Sequence, residues 1–126
     1  MLIDTDVLIW YLRGNSNARK AVNDNIPFKI SVVNYIELVQ GIRDKKELIT
    51  IQRQLKSWST GIIQINENIS ARGMFLVEDY FLSHSLGLAD AMIAATAMEY
   101  QEVLLTANDK HYSFIPNLQI DRFRIR

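Results

Sequence analysis

Apolar residues along this chain fall into short runs that alternate with segments of helical spacing. Met1-Leu2-Ile3 is an apolar run closed by Asp4, the pattern of a buried strand over residues 1–4. Residues 6–13 continue with apolar positions at helical spacing and stop at Gly14 and Asn15. Residues 16–25 predict a second, polar helix, Phe28 to Val32 a strand, and Asn34 to Ile42 a helix ended by Gly41. Residues 44–58 predict a charged amphipathic helix with Leu48, Ile51, Leu55 and Trp58 on one face. Ile62 to Ile65 is a β-branched run after Gly61, hence a strand, and residues 67–85 return to helical spacing. Residues 88–101 predict a helix whose stripe of Leu88, Met92 and Met98 is expected in the core. Val103 to Thr106 reads as another strand, and residues 118–120 as an edge strand.

Strands alternating with helices predict an α/β fold with a mainly parallel sheet. The length of 126 residues suits one domain, 1–126, and no linker or repeat interrupts it. With 48% hydrophobic residues and only seven Gly and Pro together, disorder and low-complexity sequence are excluded. The absence of cysteine excludes a disulfide framework, a zinc knuckle and a thiol nucleophile. No run approaches the ~18 apolar residues of a membrane span, and Asp4 and Asp6 break the apolar start, so a cytoplasmic protein with no membrane partner is expected.

In open parallel sheets, ligands bind beyond the carboxyl ends of the strands. Acids recur at those places: Asp4 and Asp6 after the first strand, Glu37 in the helix after the second, Asp90 opening the helix 88–101, and Asn108-Asp109 after Thr106. Each has an ordinary structural reading. Asp4 or Thr5 suits a helix N-cap, Glu37 stands at capping-box spacing from Asn34, Asp90 suits a cap of its own helix, and Asn108-Asp109 suits a turn. Their joint occurrence at strand ends points instead to a site. Clustered carboxylates repel and raise one another's pKa unless a cation neutralises them. Hard oxygen donors select Mg²⁺ or Mn²⁺ over zinc. Such a site implies metal-assisted phosphodiester hydrolysis, in which an ion activates water and steadies the leaving oxygen.

The segments LIDTDVLIWYL, ISVVNYIELVQGI, GLADAMIAATAM and LLTANDKHYSFIPNLQI, in that order, resemble PIN-domain ribonucleases, and among them the VapC-type toxins of toxin–antitoxin pairs. The resemblance implies an α/β/α sandwich around a central, mainly parallel sheet of four to five strands, and a Mg²⁺-dependent endoribonuclease site in which Mn²⁺ can substitute. Carried over by position, Asp4, Glu37 and Asp90 are the metal carboxylates, Asp6 assists the metal or shapes the turn, and Thr106 orients the site. Two positions depart from the family pattern: Asn34 replaces a threonine, and Asn108 stands at the fourth acidic position, where the adjacent Asp109 is the candidate substitute. The implied partners are a cognate antitoxin, an RNA substrate (transfer RNA or ribosomal RNA loops) and a second copy in a homodimer, or a hetero-oligomer with the antitoxin. Trp10 and Tyr11 are candidates for that dimer face.

Two other readings compete. An aspartyl-phosphate phosphohydrolase fits Asp4-Thr5-Asp6 but lacks the downstream paired acids, and a non-catalytic PIN-like binding module is disfavoured by the intact acids. Neither histidine is required for a metal-assisted reaction: His84 lies near a helix end, and His111 reads as a surface or packing residue before a phosphate contact. Arg13, Arg43, Lys45, Lys46 and Lys110 read individually as a solvated face. Fourteen basic and fourteen acidic residues cancel, yet the charge is segregated. Residues 43–56 carry five basic and two acidic side chains, whereas residues 57–108 carry one and six. Neutrality thus conceals an acidic pocket beside modest basic strips.

Overall fold

The computed structural model describes all 126 residues. In chain order it contains β1 (Leu2–Ile3), α1 (Thr5–Leu12), α2 (Ser16–Asp24), β2 (Lys29–Ser31), α3 (Val32–Gln40), α4 (Lys45–Ser57), β3 (Gly61–Ile63), α5 (Glu67–His84), α6 (Leu88–Glu99), β4 (Leu104–Thr106) and β5 (Ile120–Arg122). The expected four to five strands are five, ordered β3-β2-β1-β4-β5, and every neighbouring pair is parallel.

Alternation along the strands splits the core in two. Ile3, Ile30 and Leu105 point to one face, where they meet Val7 and Leu8 of α1, Val22 of α2, Leu38 of α3, and Ile51 and Leu55 of α4. Leu2 and Leu104 point to the other face, against Ile69 and Leu76 of α5 and the alanines of α6. Helices on both faces of a parallel sheet make the expected α/β/α sandwich.

The chain runs outward from β1 to β3 and then crosses back to β4, on the far side of β1. The strand order therefore reverses between β1 and β4, whose register pairs Leu2 with Leu104 and Ile3 with Leu105. A crevice opens at such a reversal, beyond the carboxyl ends of the two strands. Asp4 follows β1 directly and Thr106 ends β4, so both stand at its mouth.

Helix α6 packs against α5 over Gly73. A Cβ on Gly73 would come within 2.7 Å of Met92 Sδ, and Ala91, Ala94, Ala95 and Ala97 are fully buried. Small side chains let α6 sit tightly between α5 and the sheet. Leu88 does not join this core, contrary to its periodicity: it is the first residue of α6 and is 72% exposed. Met92 and Met98 do pack against the core. One 3₁₀ turn over Asp109–His111 follows β4, where a simple turn was expected.

Candidate active site

Asp4 is the N-cap of α1, as its position predicts, and its Oδ1 accepts from the Thr5 N–H at 2.9 Å. The cap is a small part of what it does. Asn34 Nδ2 donates to the same oxygen at 3.2 Å, and the Thr106 hydroxyl donates to Oδ2 at 2.9 Å. The Tyr112 hydroxyl lies 3.1 Å from Oδ2. The donors around Asp4 are all neutral, the Tyr112 proton is shared with a second carboxylate, and no lysine, arginine or histidine pairs with it. Burial pushes its carboxyl up to about 7 from the ordinary 3.8, and the nearby Asp6 carboxylate adds to the rise; the bonds from Thr106, Thr5 and Tyr112 oppose it. No lysine reaches Asp4, the partner that an aspartyl-phosphate chemistry requires.

Glu37 enters from α3. That helix is started by a capping box of Ser31 and Asn34, in which the Asn34 Oδ1 accepts from the Ser31 N–H at 2.9 Å. Glu37 therefore takes no part in the cap, contrary to its spacing from Asn34. It lies in the second turn and accepts from the Thr5 hydroxyl at 2.7 Å. The Thr5 hydroxyl in turn accepts from Asn34 Nδ2 at 2.9 Å. Asn34 thus fixes the start of α3, Asp4 and, through Thr5, Glu37. Asn34 is fully buried, which the departure from threonine did not foretell.

Asp90 does not cap its helix either. The N-cap is Gly87, which makes no side-chain cap bond. In the first turn of α6 the Asp90 carboxylate instead meets the Tyr112 hydroxyl through Oδ1 at 3.1 Å and His111 Nδ1 through Oδ2 at 3.3 Å. His111 is exposed, as expected of a surface residue, and it also borders the acidic cluster. His84 stacks on Phe114 at 4.1 Å, away from these groups. Glu37, Thr5, Asn34, Asp4, Tyr112, Asp90 and His111 form one continuous polar chain across the crevice.

A family model for the PIN domain matches residues 1–116. The chain belongs to the PIN-domain family. Ribonuclease VapC10 of Mycobacterium tuberculosis is 35% identical over 123 residues, covering 94% of this chain and 90% of the relative. Ribonuclease VapC19 of the same organism is 30% identical over 125 residues, covering 94% and 96%. Among solved structures, a toxin–antitoxin complex from Klebsiella pneumoniae superposes with a TM-score of 0.78 at 29% identity, covering 98% of this chain and 97% of that one. VapBC-1 from nontypeable Haemophilus influenzae gives a TM-score of 0.79 at 21% identity over 97% and 96%, a likeness of fold.

In this PIN domain the remaining candidates stand apart from the chain of acids. Asp6 accepts from the Val7 N–H at 2.8 Å and the Ala107 N–H at 3.0 Å, tying α1 to the loop after β4. Burial raises its pKa, against those amide bonds. The Asn108 backbone N–H donates to the Thr106 hydroxyl at 3.0 Å, while its side chain is exposed and has no partner. Asp109 is turned away to β5, where Arg122 Nε holds it at 3.3 Å. In this arrangement Asp109 pairs with Arg122 and not with the acids of the chain.

No three Asp, Glu, His or Cys side chains converge closely enough to enclose one ion. That does not exclude a hard divalent cation. Magnesium keeps several waters and binds through one or two carboxylates plus substrate phosphates. Asp4 and Asp90, joined by one hydroxyl, supply such a pair, and Glu37 stands one hydroxyl further along. The buried, cation-free carboxyl of Asp4 fits such an ion. A groove of about 860 Å³ leads away from Glu37 between α1, α3 and α4, with Ile9, Leu38 and Ile51 on its floor and Arg13, Arg43 and Lys46 on its rim. Trp10 and Tyr11 pack within the chain: Tyr11 meets Trp58 edge-on at 4.8 Å, and Arg13 lies over Trp10 at 5.6 Å.

Proposed function

We propose that this chain is a metal-dependent endoribonuclease, the toxin of a toxin–antitoxin pair, built as one PIN unit over residues 1–126. One observation carries the reading: Asp4, Glu37 and Asp90, from three different elements, share one hydrogen-bonded chain at the reversal of the strand order. The likeness to two proteins named as ribonucleases supports RNA as the substrate, and the toxin–antitoxin complex supports an antitoxin partner. No helix is long and apolar enough to cross a membrane, and a cytoplasmic location belongs to the same reading.

Mg²⁺ is the proposed ion, with Mn²⁺ able to replace it, because the donors are oxygens throughout. When bound, the ion supplies an activated water and charge stabilisation at the phosphate. Asp4 and Asp90 would hold it, Glu37 would orient a water or share the ion, and Asp6 fixes the turn beneath Asp4. Thr106 and Asn34 keep Asp4 in place. The basic rim beside Glu37 offers contacts for RNA phosphates, which position the strand without reading its sequence.

The test is cleavage of single-stranded and structured RNA by the purified chain. Activity is expected with Mg²⁺ or Mn²⁺, lost on chelation, and absent in Asp4→Asn. Cleavage that survives chelation overturns the mechanism. Expressed alone, the chain is expected to arrest growth, and co-expression of the product of an adjacent small reading frame to relieve the arrest through a complex that co-purifies.

A further inference from the structure

Asp4 and Asp90 reach the site from separate elements, the end of β1 and the first turn of α6. No backbone hydrogen bond sets the distance between them. The Tyr112 hydroxyl is the group that touches both, at 3.1 Å from Asp4 Oδ2 and 3.1 Å from Asp90 Oδ1. Its ring is 0% exposed and packs in the core between the sheet and α5–α6. The 3₁₀ turn holds the backbone beneath it, where the Tyr112 N–H donates to the Asp109 carbonyl at 3.0 Å. A rigid aromatic body thus delivers one oxygen to a fixed point on the core side of the two carboxylates.

The carboxylates depend on that oxygen unequally. Asp4 keeps three other donors, the Thr5 N–H, Asn34 and Thr106. Asp90 has only the half-exposed His111 besides Tyr112. The hydroxyl also carries a single proton, so it donates to one carboxylate at a time while the other faces its lone pairs. One of the two carboxylates is therefore left without the hydroxyl's proton, and a cation held between them would compensate it.

We propose that Tyr112 is a positioning residue whose hydroxyl sets the spacing and orientation of Asp4 and Asp90 toward a divalent cation. The inference rests on the metal-dependent reading above and adds a residue that the pattern of acids does not contain. Groups that orient metal ligands from behind typically change metal affinity or activity by about 10–100-fold when removed.

Tyr112→Phe keeps the ring and deletes one oxygen. Mn²⁺ binding to the RNA-free protein, measured by calorimetry, is expected to weaken about tenfold. The Mn²⁺ concentration for half-maximal RNA cleavage is expected to rise by a similar factor, with kcat at saturating Mn²⁺ little changed. A second variant guards against a folding defect: in an Asp90→Asn background, Tyr112→Phe is expected to leave the residual Mn²⁺ affinity unchanged, because the pair it spaces is gone. Equal or tighter Mn²⁺ binding by Tyr112→Phe than by the wild type overturns the positioning role and leaves the metal-dependent reading standing. A wild-type protein that binds no Mn²⁺ overturns both.

Discussion

Asp4 shows at the level of one residue that a site costs stability. Its carboxyl titrates near 7 in the folded protein against 3.8 for an unperturbed aspartate. The folded state therefore holds a proton that the unfolded chain has released between those two values. The penalty is absent below about pH 4 and complete above about pH 7, reaching on the order of 4 kcal/mol at most in the metal-free protein. Asparagine fits the same hole without the charge. Its oxygen accepts from the Thr5 N–H and Asn34, and its amide donates to the hydroxyls of Thr106 and Tyr112, which can also accept. Metal-free Asp4→Asn is thus expected to melt above the wild type at pH 8, with the gap closing toward pH 4. Melting curves that run parallel across that range would contradict the assignment of the strain to this carboxyl. Asp4 was legible in the sequence because an apolar run stops on it. Tyr112 was not, because its ring suits any core position and its hydroxyl finds two carboxylates only after α6 and β4 have packed.

Two elements are fixed by contacts that carry the acids with them. Asn34 closes the capping box of α3 and reaches across to Asp4 and Thr5. Asn34→Ala strips buried partners from the Ser31 N–H and from Asp4, and a loss of about 1–3 kcal/mol is expected in chemical denaturation. Asn34→Thr, which restores a hydroxyl at the position, is expected to lose less. Helix α6 packs on α5 at Gly73, where a larger side chain would have to displace the end of Met92. Gly73→Leu is expected to destabilise by about 1–3 kcal/mol through overpacking, and to depress RNA cleavage because α6 carries Asp90. A companion Met92→Ala should recover part of both losses. Periodicity found α6 and the core positions of Met92 and Met98 but placed Leu88 in the core as well, since spacing alone does not reveal which turn of a stripe is left uncovered. Glu37 and Asp90 sat at capping distances in the sequence, and both caps proved to belong to other residues, Ser31 and Gly87.

For the whole molecule, the all-parallel order β3-β2-β1-β4-β5 explains why acids far apart in sequence meet. The reversal at β1 and β4 gathers Asp4 and Thr106, and the flanking helices bring Glu37 and Asp90 from opposite faces of the sheet. Among the exposed apolar residues, Met74, Phe75, Phe81 and Leu82 lie along α5 and Leu88 at the start of α6; Leu82 is 94% exposed. If the homodimer that the family resemblance implies uses this face rather than Trp10 and Tyr11, sedimentation should show a dimer for the wild type and a monomer for Leu82→Glu. A monomeric wild type would contradict the dimer. The central claim is that the carboxylate chain cuts RNA by holding a divalent ion, and Asp90 tests it most directly, because it joins the chain only through side chains. The decisive measurement is the rate of cleavage of one defined RNA across a Mg²⁺ titration, with wild type and Asp90→Asn matched by melting curve. The account predicts a rate that rises with Mg²⁺ and saturates for the wild type, and none above background for Asp90→Asn at any concentration. Equal rates for the two proteins would contradict it.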